Sequence, residues 1–518
     1  MPRIAPLMAA LALAWTAGLV LSPAPAAARE AAKPAAAPLT ASATKAQART
    51  AAVYAELLAR DPARASELAL FLTELPKGGD LHHHYTGAIY AETYLDWVKA
   101  LDYCIYKADA PELQVQKLRI EIRPFASLPP ANQALCLKAP QVSADPVLYR
   151  SLLSTWSDKD YGNHFHLQPP PDQQFFNTFG YFGPASAYSV NEGLKGLKAR
   201  ALSENVQYLE TMLKGAPTPD LGALAPSIDQ LSSQSRPEDV TRALEQAFAW
   251  LEGQQAAQAQ VQQYVQSLDD AAKGVEDEGF TLRFQTYISR NSSPSRSFAG
   301  LYAGFKAAQL SPWLAGVNIV GPENGEVAMR DYVLHMRMIQ FLKARWPATR
   351  LSLHAGELAV GMVPPEGLRH HIRDAVEIAG ANRIGHGIDI PHERDAAGLL
   401  RHMAAKGLPV EVNLTSNEFI LGVKGAEHPL PLYRRFGVPF VISTDDAGVS
   451  RSTLSQEYLL YVTRYRPSYA ELKATVYRSI RHAFLAPEVQ ARELKKLDQA
   501  FGTFEQKVSQ WPLSQDRR

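Results

Sequence analysis

The fold class predicted by the sequence is α/β: a (β/α)8 TIM barrel with an N-terminal helical extension, an insertion after strand 1 and C-terminal helices. Three observations point there. Eight short apolar runs follow one another, at residues 79–84, 206–211, 282–288, 317–321, 350–354, 383–386, 410–413 and 439–445. Helix-patterned stretches, for example 327–345 and 396–406, lie between most of them, and eight strands alternating with helices close into a parallel barrel. The polar residues collect at the C-terminal ends of the runs, where barrel enzymes place their active sites. An open doubly wound sheet is the competing arrangement, but no Gly-rich phosphate loop follows the first run.

The chain has 518 residues, with 53 Lys+Arg against 52 Asp+Glu, 46% hydrophobic residues and 2 Cys. Such an even balance gives no long-range attraction to nucleic acid or anionic membrane. A chain this apolar buries a sizeable core, which excludes overall disorder, and two Cys exclude a disulfide-rich scaffold. Residues 1–28 read as an export signal: Arg3 is the positive region, Ile4 to Leu21 the apolar stretch, and Ala26-Ala27-Ala28 the cleavage site before Arg29. A membrane anchor is the competing reading, and the many Ala with Pro23 and Pro25 speak against it. The expected product is soluble, periplasmic or extracellular, with no stable membrane anchor; a homodimer is an allowed assembly. An oxidising compartment lets Cys104 and Cys136 pair, although their spacing alone leaves two free thiols open.

Residues 29–45 are an Ala/Pro/Lys/Thr-rich flexible lead-in, and 46–74 have helical periodicity for one or two helices. Residues 29–74 thus precede a barrel domain at 75–518. Within it, residues 95–175 are irregular, hold both Cys and the run Pro169-Pro170-Pro171, and read as an inserted subdomain or long loop. Residues 215–237 are a Pro/Ser-rich loop, and 239–275 are Gln/Ala-rich and helical by pattern.

Four motifs at strand ends carry chemistry. In His82-His83-His84, strand alternation points His82 and His84 to one face, which supplies half of a zinc site. In His354-Ala355-Gly356-Glu357, His354 adds a third nitrogen ligand, and Glu357 lies close enough to act as an acid or base; the bland alternative is a helix-start carboxylate. His386, between Gly385 and Gly387, is sterically open, as a proton-transfer group must be, although a packed turn His competes. In Ser443-Thr444-Asp445-Asp446 one carboxylate can bind metal while its neighbour faces a substrate, a helix N-cap being the bland reading. Together, in barrel order, they form a strong joint signal.

These residues, with Pro76-Lys77, Gly87, Tyr208-Leu-Glu210, Gly321, Thr415-Ser-Asn417, His428-Pro429 and residues 479–485, resemble the adenosine deaminase family of metal-dependent amidohydrolases. The resemblance covers about residues 75–490 and implies a barrel with one zinc ion held by His82, His84, His354 and Asp445. Zinc would make hydroxide available near neutral pH. His386 would accept the proton, protonated Glu357 would meet purine N1, Asp446 N7, and the backbone N–H of Gly321 N3. Glu357 needs an apolar pocket to stay protonated. No Lys ends the fourth run, which favours one metal over a bridged pair. Thr86 stands where the common form has an Asp for the 5′-hydroxyl, so ribose recognition here involves Thr86, Tyr85 or the insertion. Phe175, Phe176 and Phe179 match an apolar lid over the purine, and equally fit a helix core. Export, the helical extension and the Cys-bearing insertion are similar in architecture to the adenosine deaminase-like growth-factor group.

The expected activity is zinc-dependent hydrolytic deamination of adenosine and 2′-deoxyadenosine to the inosines plus ammonia, with a small purine nucleoside as partner. Deamination of adenine or another aminopurine is the alternative, motivated by Thr86, and a secreted nucleoside-binding or signalling protein is the non-enzymatic one. AMP is disfavoured, because no Arg/Lys cluster marks a phosphate pocket. His164 and His166 are candidates for the substrate entrance, and His370-His371 reads as a solvated helix face.

Overall fold

The computed structural model describes residues 41–60, 62–161 and 169–512. The proposed export signal, most of the lead-in, His164 and His166 lie outside them. All eight expected strands form: β1 (Gly78–His84), β2 (Val206–Gly215), β3 (Thr281–Ser289), β4 (Leu314–Val320), β5 (Ser352–Ala355), β6 (Arg383–His386), β7 (Val410–Val412) and β8 (Phe440–Ile442). They pair in parallel as two arcs of four, β1-β2-β3-β4 and β5-β6-β7-β8. Single parallel bridges, Val317 to Leu351 and His83 to Asp445, join the arcs at both seams. At the second seam Asp445 N–H donates to His82 C=O at 2.8 Å and His84 N–H to Asp445 C=O at 3.1 Å. The closure of the barrel therefore brings two of its sequence motifs together.

Helices follow the strands as a parallel barrel requires. They include Val190–Ser203 before β2, Pro237–Gly253 and Gln255–Ala272 before β3, Pro294–Leu310 before β4 and Glu326–Arg345 before β5. The barrel interior below the site is ionic. Arg383 bridges Glu210 and Glu411, all three fully buried, with Tyr208 Oη donating to Glu210 at 2.7 Å and Ser352 Oγ to Glu411 at 2.8 Å. Buried charges survive only when paired and hydrogen-bonded, and this layer meets both conditions.

The N-terminal extension is two helices, Ala41–Leu58 and Ala65–Glu74. Tyr54 and Phe71 pack on Tyr469, and Phe71 also on Phe504 and Trp511, from the C-terminal helices Tyr469–Arg481 and Pro487–Val508 and the turn that follows. The region after β1 is more ordered than its composition suggests. Cys104–Tyr106 pairs antiparallel with Ile120–Glu121 on one side and Cys136–Lys138 on the other. A disulfide joins Cys104 to Cys136, and they share a separate small core with Tyr106, Ala110, Val115 and Leu128. Short strands of this kind carry little periodicity of their own, so the sequence pattern alone shows only irregularity. No helix of the described residues is long and apolar enough to cross a membrane.

Candidate metal-dependent active site

His82, His84, His354 and Asp445 each offer a ligand atom, and these atoms lie within 4.8 Å of one another. The donor set fits a divalent metal. His82 Nδ1 donates to the Glu411 carboxylate at 2.7 Å, which turns Nε2, buried and without a hydrogen-bond partner, toward the other three ligand atoms. His354 Nδ1 donates to Asn318 Oδ1 at 3.0 Å, so its Nε2 lone pair faces inward, 3.2 Å from His84 Nε2. Two imidazole nitrogens at that separation, with Asp445 Oδ1 3.3 Å and 3.4 Å from His84 and His82, match the spacing of ligands around one cation. Burial pushes His84 down to about 4 and His354 well below the usual imidazole range, which keeps both as neutral ligands. Glu411 and Asn318 orient the ligand rings from behind, as metal sites require. Neither stood out as a functional residue in the sequence, although a Glu inside the apolar run Val410-Glu411-Val412 was a visible signal of a buried partner.

Backbone conformation serves the same end. His386 and Asp445 hold φ of +68° and +61°, the left-handed region that side-chain-bearing residues rarely adopt. Strain of this kind at two adjoining site residues aims their side chains off the strand ends. Gly321 has φ +96°, accessible to glycine alone, as the chain leaves β4 along the cavity wall. Gly87 has no side chain because the Asp446 carboxyl occupies the place a Cβ would take.

A cavity of about 410 Å³ opens beside the cluster. Its walls include Thr86, Gly321, Glu357, His386 and Asp446, so every expected catalytic and substrate-facing residue converges there. Phe175, Phe176 and Phe179, from helix Pro171–Phe182, line it as well. Phe175 is buried and meets the other two edge to face, so the three pack together as a helix core does while lining the cavity. Tyr85 is different: it is buried and its hydroxyl turns to Val190 C=O at 3.4 Å, which removes it from substrate recognition.

Two carboxyls in this cavity have raised affinities for a proton. Burial, then the Asp445 and Glu323 carboxylates, pushes Glu357 up to about 8. Burial, with Asp445 next, carries Asp446 well above the usual carboxylate range. Glu357 sits on a rigid turn: Glu323 accepts from Gly356 N–H at 3.0 Å and Glu357 N–H at 2.9 Å, and is itself held by Arg290 at 3.1 Å and His371 at 2.5 Å. His371 is therefore a buried partner of Glu323, stacked on Tyr332 at 3.6 Å, and not part of the solvated helix face that its sequence suggests. A His-His pair followed by charged residues looks exposed; only the tertiary partner Glu323 explains its burial.

Hydrogen-bond direction fixes the state of His386. Leu430 N–H donates to His428 Nδ1 at 3.0 Å, so the neutral His428 ring carries its proton on Nε2 and donates to Asn417 Oδ1 at 3.2 Å. Asn417 then presents its Nδ2 to His386 Nδ1 at 3.0 Å. Reversing the Asn417 amide would leave His428 with two acceptor nitrogens and no proton, which excludes it. His386 Nδ1 is thus an acceptor, and its proton sits on Nε2, 3.6 Å from Glu357 and 3.9 Å from Asp445. Burial pushes His386 down to about 3, so the ring is neutral. The resting ring offers a donor at Nε2, in place of the acceptor that the resemblance implies.

The sequence profile of the adenosine deaminase family matches residues 239–500. An adenosine deaminase of Enterococcus faecalis is 35% identical over 152 residues, 29% of this chain and 42% of that protein. One from a Mycobacterium species is 26% identical over 246 residues, 45% of this chain and 63% of that protein. These alignments span less than two thirds of the relatives' own length. Among solved structures, an Arabidopsis N6-mAMP deaminase superposes with a TM-score of 0.51 at 18% identity, covering 83% of this chain and 99% of that one. Arabidopsis ADAL complexed with IMP gives 0.51 at 18%, covering 84% and 99%. At such identity these two structures speak for the fold. With a profile match across half of its length, the chain belongs to the adenosine deaminase family.

Proposed function

We propose that this protein is a zinc-dependent hydrolase that deaminates 6-aminopurine nucleosides, adenosine and 2′-deoxyadenosine, to the inosines and ammonia. The observation that carries the reading is the convergence of a three-imidazole, one-carboxylate donor set with two proton-bearing carboxyls on one cavity. Three nitrogens and one oxygen suit zinc among the divalent metals. His82, His84, His354 and Asp445 would hold it, and when bound it lowers the pKa of a coordinated water towards ~7.

The chain's own groups do the rest. The Phe175–Phe179 face and Val320 exclude water from the purine. Glu357 holds a proton at its carboxyl and delivers it to N1, which takes up electrons as the ring loses aromaticity at C6. Asp446 donates to N7, and the positive-φ turn at Gly321 brings backbone against N3. His386 donates from Nε2 and orients the attacking oxygen; of the two protons of the water, one restores Glu357 and the other goes to the C6 amino group, which leaves as ammonia when the C6–N bond breaks. Adenine, the second reading, is favoured by Thr86, which brings no carboxylate to a sugar hydroxyl. Export to an oxidising compartment is supported by the Cys104–Cys136 disulfide.

The zinc-loaded protein is expected to lower the ultraviolet absorbance of adenosine as inosine forms, with one ammonia released per turnover. Inertness toward adenosine, 2′-deoxyadenosine and adenine alike would contradict the reading.

A further inference from the structure

A cavity of about 540 Å³ lies at the end of the barrel away from the metal cluster. Its walls include Arg350, Asn382 and Pro409, which stand just before β5, β6 and β7, so it opens below the N-terminal ends of the strands. Barrel enzymes carry out their chemistry at the other end. One wall is the segment 481–485, between helices Tyr469–Arg481 and Pro487–Val508. That wall is firmly seated. Arg383 donates to His482 C=O at 3.0 Å and lies over the Phe484 ring at 3.6 Å, and Phe484 N–H donates to Glu210 at 3.1 Å.

The charge of this cavity has one sign. Arg350, Lys406 and Arg481 line it, and no Asp or Glu does. None of the three pairs with a carboxylate among the described residues; Arg481 rests only against the Tyr477 ring. Lys406 and Arg481 are the last residues of helices Ala396–Lys406 and Tyr469–Arg481, where a cation offsets the helix dipole, but that dipole amounts to about half a charge. Arg434 and Arg464, in the last turns of other helices, each hold a carboxylate as well, Glu471 and Glu418. The unmatched charge is felt by neighbouring groups. After burial, Arg350 lowers the proton affinity of Lys343, and Arg383, Arg478 and Arg481 help to push His482 down to about 4. Asn382 accepts Leu351 N–H on Oδ1 at 2.9 Å, which leaves its Nδ2 as a further donor. A cleft lined by one sign of charge concentrates ligands of the other. Three separate cations call for several anionic oxygens, and guanidinium forks match those of phosphate.

We propose that this cavity binds a small ligand carrying linked phosphates, a diphosphate group held by Arg350, Lys406 and Arg481 at the face of the barrel opposite the metal cluster. The site is separate from the purine cavity and stands whether or not the protein deaminates nucleosides.

Calorimetric titration of the zinc-loaded protein at low ionic strength tests it, with pyrophosphate, UDP and UMP as probes. The uracil base carries no amino group for the purine cavity to act on. At least one of the two diphosphates is expected to bind about tenfold or more tighter than UMP. Arg350, Lys406 and Arg481 are exposed, so replacing them leaves the core intact. Arg350→Gln and Arg481→Gln are each expected to weaken diphosphate binding about tenfold, with an unchanged urea midpoint. Saturating inosine is expected to leave diphosphate binding as it was. Equal affinity for pyrophosphate and UDP would mark a free diphosphate as the ligand, and tighter UDP a nucleotide; both agree with the proposal. No measurable binding of either diphosphate, full affinity in the double variant, or displacement by inosine would overturn it.

Discussion

Glu323 shows how much of the site depends on residues that never touch a substrate. Its two oxygens fix the turn that carries Glu357, and Arg290 and His371 fix Glu323. Burial alone would raise its pKa, but Arg290 and His371 outweigh it and hold the carboxyl down to about 2, against an ordinary 4.5. A depressed folded-state value means the contribution is complete above pH ~4.5 and fades as pH falls toward ~2. Its size is about 3 kcal/mol at ~1.4 kcal/mol per unit. Urea unfolding of wild type between pH 7 and 3 is expected to show this acid loss, and Glu323→Gln to be less stable at pH 7 with a flatter acid limb. An unchanged acid limb would remove Glu323 from this role. Glu357→Gln keeps the shape of the proton donor and loses its proton transfer, so kcat is expected to fall ~100-fold or more while the metal stays bound, measured by turnover beside metal analysis.

At the scale of elements, helix Leu414–Leu421 and the turn at His428 orient His386 through Asn417. Nitrogen-15 shifts of the imidazoles are expected to show His386 protonated at Nε2 in the wild type. His428→Ala is expected to blur that preference and lower kcat ~10-fold with KM little changed. A ring protonated at Nδ1 in the wild type would contradict the chain of bonds. Asn417 and His428 were visible in the sequence as motifs, but their direction was not, because it depends on the Leu430 N–H. The inserted segment shows the opposite case. Its disulfide closes a loop with a sequence separation of 32 residues, worth up to ~3–4 kcal/mol by chain entropy. Cys104→Ser with Cys136→Ser is expected to lower the urea midpoint by a corresponding amount; an unchanged midpoint would show that the segment's small core suffices without it.

Across the whole molecule, the barrel was legible because each apolar run ends in its own chemistry, and parallel closure must gather those ends. Four ligands spread from His82 to Asp445 could be read as one group for that reason. The partners behind them could not: Glu411, Asn318 and Glu323 act through contacts between strands that no local pattern records. The central claim is that one metal, held by His82, His84, His354 and Asp445, supports purine deamination in this cavity. Titrating zinc into metal-free protein while following adenosine turnover tests it most directly. Activity is expected to rise from zero to a plateau at one equivalent per chain, and Asp445→Ala to lose both tight zinc binding and turnover. Full turnover by metal-free protein, a plateau at two equivalents, or stoichiometric zinc retained by Asp445→Ala would contradict it.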